Sequence, residues 1–153
     1  MKPSDPSFPL FCLLHGDIPI SPLLIGQIPK AVAEILGWKC RKVFVTNRDA
    51  QKIRFHPMHG MDASRGIHLP IVIRHGDYFQ SRRRGSNLQI EVVLHELQVP
   101  KRAYFLVLAR NIEDTGIFIR TFYFNGEMSR NRMRDASSLL KQSSTDYFTN
   151  LKT

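Results

Sequence analysis

A basic segment in the first half of the sequence carries side chains suited to phosphate chemistry. Residues 52–59 read KIRFHPMH, which combines fixed cations with imidazoles that exchange protons near neutral pH. RNA cleavage without a metal requires proton transfer at the 2′-hydroxyl and the leaving 5′-oxygen, and positive charge beside the phosphate. Because Asn47–Asp49 are typical of a helix start, Lys52 and His56 are expected to share one helical face. We predict both as catalytic residues and His59 as a substrate contact, with a basic loop of hydrogen-bonded histidines as the alternative.

A second set of candidate catalytic residues lies in the last predicted strand. Arg120, Thr121 and Tyr123 offer a guanidinium, a hydroxyl and a phenol, all of which bind phosphates or bases. In a flat strand Thr121 and Tyr123 share a face with Ile117 and Ile119, whereas Arg120 points to the opposite face. A β-bulge, or a site at the end of the sheet, is therefore required for Arg120 to join the others.

Further arginines are candidates for binding the RNA backbone. Arg82, Arg83 and Arg84 form a basic loop directly before the predicted strands, and its simplest functional use is a phosphate clamp without sequence specificity. Arg130, in a predicted last helix, is added to this substrate-binding set. A solvated loop has the same composition, so this signal alone does not separate binding from solubility.

Histidine and cysteine content raises the question of a metal site. Six histidines are many for this length, yet His56 and His59 lack the HExxH or paired-cysteine spacing of zinc ligands. The two cysteines, Cys12 and Cys40, are too few for a disulfide framework and are expected to be free thiols. We therefore predict no metal and no cofactor.

Charge and length narrow the class of protein. The chain has 153 residues and a net charge of +9, and residues 1–40 contribute none of that excess. A folded body with this charge attracts polyanions, of which RNA is the partner we expect. No apolar run approaches the roughly 20 residues of a membrane span, and the start of the chain lacks the parts of an export signal. These features predict a cytoplasmic protein without a membrane partner.

The first half of the chain is predicted to be mainly helical. Apolar spacing followed by Gly37 predicts a helix over Pro29–Leu36, and Val43–Thr46 predicts a short strand. Leu69–Ile73 is ambiguous between a strand and a helical turn. Early prolines predict an irregular N-terminal arm over residues 1–20, followed by a single domain over 21–142 and a C-terminal tail over 143–153.

The second half contains alternating apolar runs with short connections, which favour an antiparallel meander. The predicted strands are Leu88–Leu97, Ala103–Arg110 and Gly116–Phe124. Ser129 is a cap for a last helix with an apolar stripe at Met133, Ala136 and Leu140. The predicted fold is α+β, with N-terminal helices packed on an antiparallel sheet of about four strands, a C-terminal helix, and the other sheet face open to a ligand.

In combination, these segments resemble the barnase, EndoU, colicin and RelE-like nuclease superfamily, particularly its phage-associated branch. The resemblance covers about residues 20–142 and is carried by Val43-Phe44-Val45-Thr46, Lys52-Ile53, His56-Pro57, Leu69-Pro70 and Arg120-Thr121-Phe122-Tyr123.

The resemblance implies metal-independent RNA cleavage on an exposed sheet face, as in toxins and effectors, with an inhibitor or antitoxin protein as a further partner. Carried over residue by residue, the Lys-and-His element falls on Lys52 and His56, and the hydroxyl-bearing strand element falls on Thr121, with Tyr123 two residues on. The sequence departs from the family in having no carboxylate clearly placed as a base. The functional expectation is an endoribonuclease that leaves a cyclic phosphate; the alternative is a non-catalytic basic RNA-binding or interaction module.

Overall fold

The computed structural model describes residue 2 and the ranges 4–6, 8–16, 22–55, 63–80, 88–95, 103–125 and 139–141. The helices are α1 (Phe8–His15), α2 (Lys30–Leu36), α3 (Asn47–Phe55), α4 (Ala63–Gly66) and α5 (Leu69–His75). The strands are β1 (Leu23–Gln27), β2 (Lys42–Val45), β3 (Asp77–Gln80), β4 (Gln89–His95), β5 (Ala103–Arg110), β6 (Ile117–Asn125) and β7 (Leu139–Lys141). The α+β class is confirmed.

One mixed sheet contains all seven described strands, in the order β1-β2-β6-β5-β4-β3-β7. The predicted meander is confirmed, since β4, β5 and β6 pair antiparallel in sequence. The prediction of about four strands, all antiparallel, is wrong because β1, β3 and β7 add to the sheet and β2 pairs parallel with β6. These additional strands are short, so their pairing depends on distant partners more than on a local pattern.

The N-terminal arm is not irregular over its middle part. Residues 8–15 form α1, whose Leu10, Leu13 and Leu14 are buried in the core, and α1 packs against α3 and α4. Pro9 is compatible with this helix because a proline is tolerated in the first turn, where backbone N–H groups have no helical partner. Burial of the leucines therefore overrides the local signal for irregular structure.

Two other local predictions for the first half of the chain are confirmed. α2 ends where Gly37 adopts a left-handed φ of 71°, and the backbone N–H of Gly37 donates to carbonyls of the last helical turn. α3 occupies the predicted place after β2. The ambiguous segment is α5, and the Tyr78 hydroxyl donates a hydrogen bond of 2.5 Å to the Ile73 carbonyl, which ties this helix to β3.

The short helix α5 packs against both β1 and β4, which are separated in the sheet by β2, β6 and β5. The expected open face is wrong for the middle strands. Phe79, Val93 and Phe105 lie on the face opposite Tyr78, Val92 and Leu106 in the strand register, and all six are buried. Nearly continuous apolar runs such as Val92-Val93-Leu94 are typical of strands covered on both sides.

The predicted last helix is wrong at its C-terminal end. Leu139–Lys141 forms β7, which pairs antiparallel with β3 and contacts α2. Ladder hydrogen bonds to the edge of β3 are available here only to an extended chain, which explains the outcome. The rest of that prediction, residues 129–138, lies outside the described residues, as does the predicted tail. Of the helices described, none is long and apolar enough to cross a membrane.

Candidate functional site

A cavity of about 210 Å³ lies between α3 and the middle of β6. It is lined by Asp49, Lys52, Ile53, Ile119, Arg120, Thr121 and Phe122. The lining therefore includes three of the five residues predicted as catalytic, namely Lys52, Arg120 and Thr121. Two elements that are far apart in sequence meet at this position.

A β-bulge explains how consecutive residues of β6 line one cavity. Ile119 pairs with Leu108 and Thr121 pairs with Val107, so Arg120 is an extra residue without a partner position on β5. In a flat strand, neighbouring side chains alternate between faces, and a bulge breaks that alternation and redirects the side chain. The condition that the sequence set for Arg120 to join the site is met.

The bulge also corrects the predicted grouping of side chains along β6. Thr121 no longer shares a face with Ile119, because their partners Val107 and Leu108 are adjacent on β5. Phe122 takes the face of Ile119 instead, and both are buried. This change of face supplies the apolar part of the cavity.

The position of α3 is fixed by a cap and by an apolar contact. The Thr46 backbone N–H and hydroxyl donate to Asp49 Oδ2 at 3.4 and 2.9 Å, and the Asp49 backbone N–H donates to the Thr46 hydroxyl at 3.2 Å. This reciprocal capping box makes Thr46 the cap, one residue before the Asn47–Asp49 segment that was predicted to cap the helix, and α3 begins at Asn47. One turn later Ile53 is 3% exposed, which anchors the helix that carries Lys52.

The cavity has a charged side toward solvent and an apolar side toward the core. Lys52 and Arg120 are exposed and Asp49 is half-buried, whereas Ile53 and Phe122 are buried. Two cations beside one carboxylate favour an anionic group. Binding sites for drug-sized ligands occupy roughly 300–1,000 Å³, so this smaller cavity suits a phosphate and its sugar better than a whole nucleotide.

Asp49 is the functional candidate that sequence reasoning missed. The sequence offered no clearly placed carboxylate, yet the structure brings one into the cavity with Lys52 and Arg120. The spacing Thr46-x-x-Asp49 is a capping-box signal, and it places residue 49 within one turn of Lys52 on the same helix. What the sequence did not reveal is that β6 lies opposite this turn.

The remaining predicted site residues are less well defined by the structure. The Tyr123 backbone pairs with Phe105 in β6, and nothing is described of the Tyr123 side chain. The others predicted for catalysis or binding lie outside the described residues: His56, His59, Arg82, Arg83, Arg84 and Arg130. Their roles stay predictions.

An aromatic cluster packs against Phe122, which lines the cavity. Phe122 stacks on Tyr104 with ring centroids 5.8 Å apart, and the Tyr104 hydroxyl is hydrogen-bonded to His68 Nδ1 at 2.6 Å. Burial lowers the pKa of His68, and the charge of Arg65 lowers it further, so the neutral imidazole is favoured. Because Tyr104 and Phe122 are both buried, we interpret this cluster as packing that holds the bulge in place.

Comparison of the chain with models of protein families, with curated proteins and with solved structures finds no match in any of the three. Within the part of the chain that the structure describes, no group of three or more His, Cys, Asp or Glu side chains is placed to hold a metal ion.

Proposed function

We propose that the protein is a metal-independent endoribonuclease, acting as a toxin or phage effector, whose catalytic site is the cavity between α3 and β6. The observation that carries the proposal is the joint lining of this cavity by Asp49, Lys52, Arg120 and Thr121. These side chains supply a proton acceptor, two cations and a hydroxyl, and most of the chemistry that RNA cleavage requires is available from them.

In the proposed mechanism the RNA 2′-oxygen bonds to the phosphorus while the bond from phosphorus to the 5′-oxygen breaks. Asp49 accepts the proton of the 2′-hydroxyl, and His56 donates a proton to the leaving 5′-oxygen. Lys52 and Arg120 stabilise the charge that builds on the phosphate, and Thr121 positions the RNA. The products are a 2′,3′-cyclic phosphate and a free 5′-hydroxyl, and exchange with solvent restores both proton-transfer groups.

The second candidate is a basic RNA-binding module without catalysis. The net charge of +9 supports it, because a charge of this size attracts RNA whether or not the cavity is reactive. The two candidates differ in the fate of the bound RNA.

Incubation of the purified protein with end-labelled RNA in excess chelator should yield shorter products that carry a cyclic phosphate. A metal-independent mechanism requires no divalent ion, so the rate should be unchanged by adding Mg²⁺ after chelation. A shift in RNA mobility without cleavage would favour the binding module, and cleavage that depends on a divalent metal would contradict the proposal.

Asp49→Asn should reduce cleavage by about 10²–10⁴-fold, the usual contribution of a general base. The amide oxygen still accepts hydrogen bonds from Thr46, so the cost in the free energy of unfolding should stay below about 1 kcal/mol. The rate is measured by single-turnover cleavage and the stability by urea unfolding.

Thr46→Ala is the matched control, because it removes the cap and keeps the carboxylate. It should cost about 1 kcal/mol of stability and reduce cleavage far less than Asp49→Asn does. Equal losses of activity in the two variants would mean that Asp49 acts only by holding α3.

A further inference from the structure

A second cavity of about 380 Å³ lies at the opposite end of β2, where β1 ends and the β5–β6 turn approaches. It is lined by Gln27, Lys39, Cys40, Arg41, Lys42, Asp114 and Thr115. Lys42 begins β2, whereas Asp49 of the first cavity follows the end of β2. The two cavities share no lining residue.

Three cationic residues line this second cavity. Lys39 and Lys42 are exposed, so their ammonium groups remain hydrated and available to a ligand. Arg41 is half-buried, and its Nε donates a hydrogen bond of 3.0 Å to the Ile28 carbonyl. That bond uses one of five guanidinium N–H donors and fixes the orientation of the side chain. Arg41 is therefore preorganised for an anion.

The one carboxylate of the lining is engaged by the protein itself. Asp114 Oδ2 accepts from the Lys39 backbone N–H at 2.9 Å, and Oδ1 accepts from the Cys40 backbone N–H at 3.0 Å. Oδ2 also lies 3.0 Å from Arg110 Nη1. These contacts hold the pKa of Asp114 well below its usual range, so the carboxylate stays charged. Its hydrogen bonds join the β5–β6 turn to the Lys39–Cys40 segment. Because Arg110 balances its charge, the three cations of the lining are not neutralised.

The Cys40 thiol adds no negative charge to the cavity. Burial raises the pKa of Cys40 to about 11, and its hydrogen bond to the Asp114 carboxylate contributes to the rise. A thiol with this pKa stays protonated at neutral pH and is a poor nucleophile. The thiol is thus a neutral part of the cavity wall and does not itself repel an anion.

We propose that this cavity binds a phosphate group through Lys39, Arg41 and Lys42. A phosphate offers several acceptor oxygens to converging cations, and Arg and Lys are the side chains that bind it most often. The volume exceeds that of a bare phosphate and lies within the usual range for small-ligand sites, so the group is carried by a larger molecule. A mononucleotide and an RNA strand share this chemistry. The proposal does not depend on catalysis in the first cavity.

The test compares three probes that the protein cannot cleave: inorganic phosphate, adenosine 5′-monophosphate and a short 2′-O-methyl oligonucleotide. Binding to the full chain is measured by calorimetry at several salt concentrations. The variant is Lys39→Gln with Lys42→Gln, both exposed and therefore safe for folding. The control is Lys30→Gln with Arg74→Gln, which removes the same charge from exposed positions outside the cavity.

We expect the Lys39/Lys42 variant to bind at least roughly ten-fold more weakly, since each lost charged hydrogen bond is worth about that factor, while the control binds nearly as the native protein. If the Lys39/Lys42 variant loses affinity for the mononucleotide, the ligand is a free nucleotide. If it loses affinity for the oligonucleotide alone, the ligand is a backbone phosphate of RNA. Equal weakening in the two variants, or no saturable binding of any probe, overturns the proposal. The variant Arg41→Gln, whose folding is checked by thermal unfolding, is an independent test of phosphate binding in this cavity.

Discussion

Arg120→Ala is expected to lower the rate of RNA cleavage by roughly 10²–10³-fold, the usual cost of removing one preorganised group that stabilises transition-state charge. Arg120 is an exposed residue at the bulge of β6, so the free energy of unfolding should change by no more than about 0.5 kcal/mol. Arg120→Lys should recover only part of the rate, because an ammonium lacks the planar fork of the guanidinium.

A double substitution of Lys52 and Arg120 makes this prediction more specific. If Lys52 and Arg120 bind the same phosphate, the variant lacking both should lose less activity than the product of the single losses. Arg48→Ala is the control, since Arg48 is an exposed cation of the same helix that does not line the cavity. Full activity in Arg120→Ala, or losses of the same size in Arg48→Ala, would place the chemistry elsewhere.

His56→Ala is expected to lower cleavage by about 10²–10⁴-fold, because the imidazole is the side chain best matched to proton transfer near neutral pH. RNA binding and thermal stability should remain nearly unchanged, since a group acting in the transition state contributes little to binding the substrate. Cleavage and binding are measured on the same preparation, with an RNA that carries a single scissile site.

His15→Ala is the matched control for His56. His15 is an exposed histidine at the end of α1 that does not line the cavity, and its loss should leave turnover intact. Full cleavage by a folded His56→Ala protein would remove the proposed proton donor. A drop in stability without a selective drop in turnover would make His56 a packing residue.

Local signals predicted several helices and strands of the fold. The bounds of β5 match the predicted Ala103–Arg110, and Gly37 ends α2 as expected. Strong alternation and a glycine stop are short-range features, so the sequence alone expresses them. Strand alternation also predicted that Arg120 could join Thr121 only through a β-bulge or at the end of the sheet, and the structure has the bulge.

The features that sequence reasoning missed depend on long-range contacts. α1 is stabilised by burial against α3 and α4, and β7 by pairing with β3. The meeting of Asp49 with Arg120 requires that β2 lie parallel to β6, since α3 follows β2 directly. No periodicity within either segment encodes that neighbour.

Because β2 lies between β1 and β6, its pairing is completed only late in the synthesis of the chain. Phe44 pairs with Phe118, so one edge of β2 stays unpaired until the ribosome has added more than seventy further residues. At 5–20 residues per second this delay lasts roughly 4–15 s. An open edge of this kind invites association with other nascent chains, and charged flanking residues oppose it. Lys39, Arg41 and Lys42 stand directly before the apolar part of β2, and we expect their repulsion to oppose such association during synthesis.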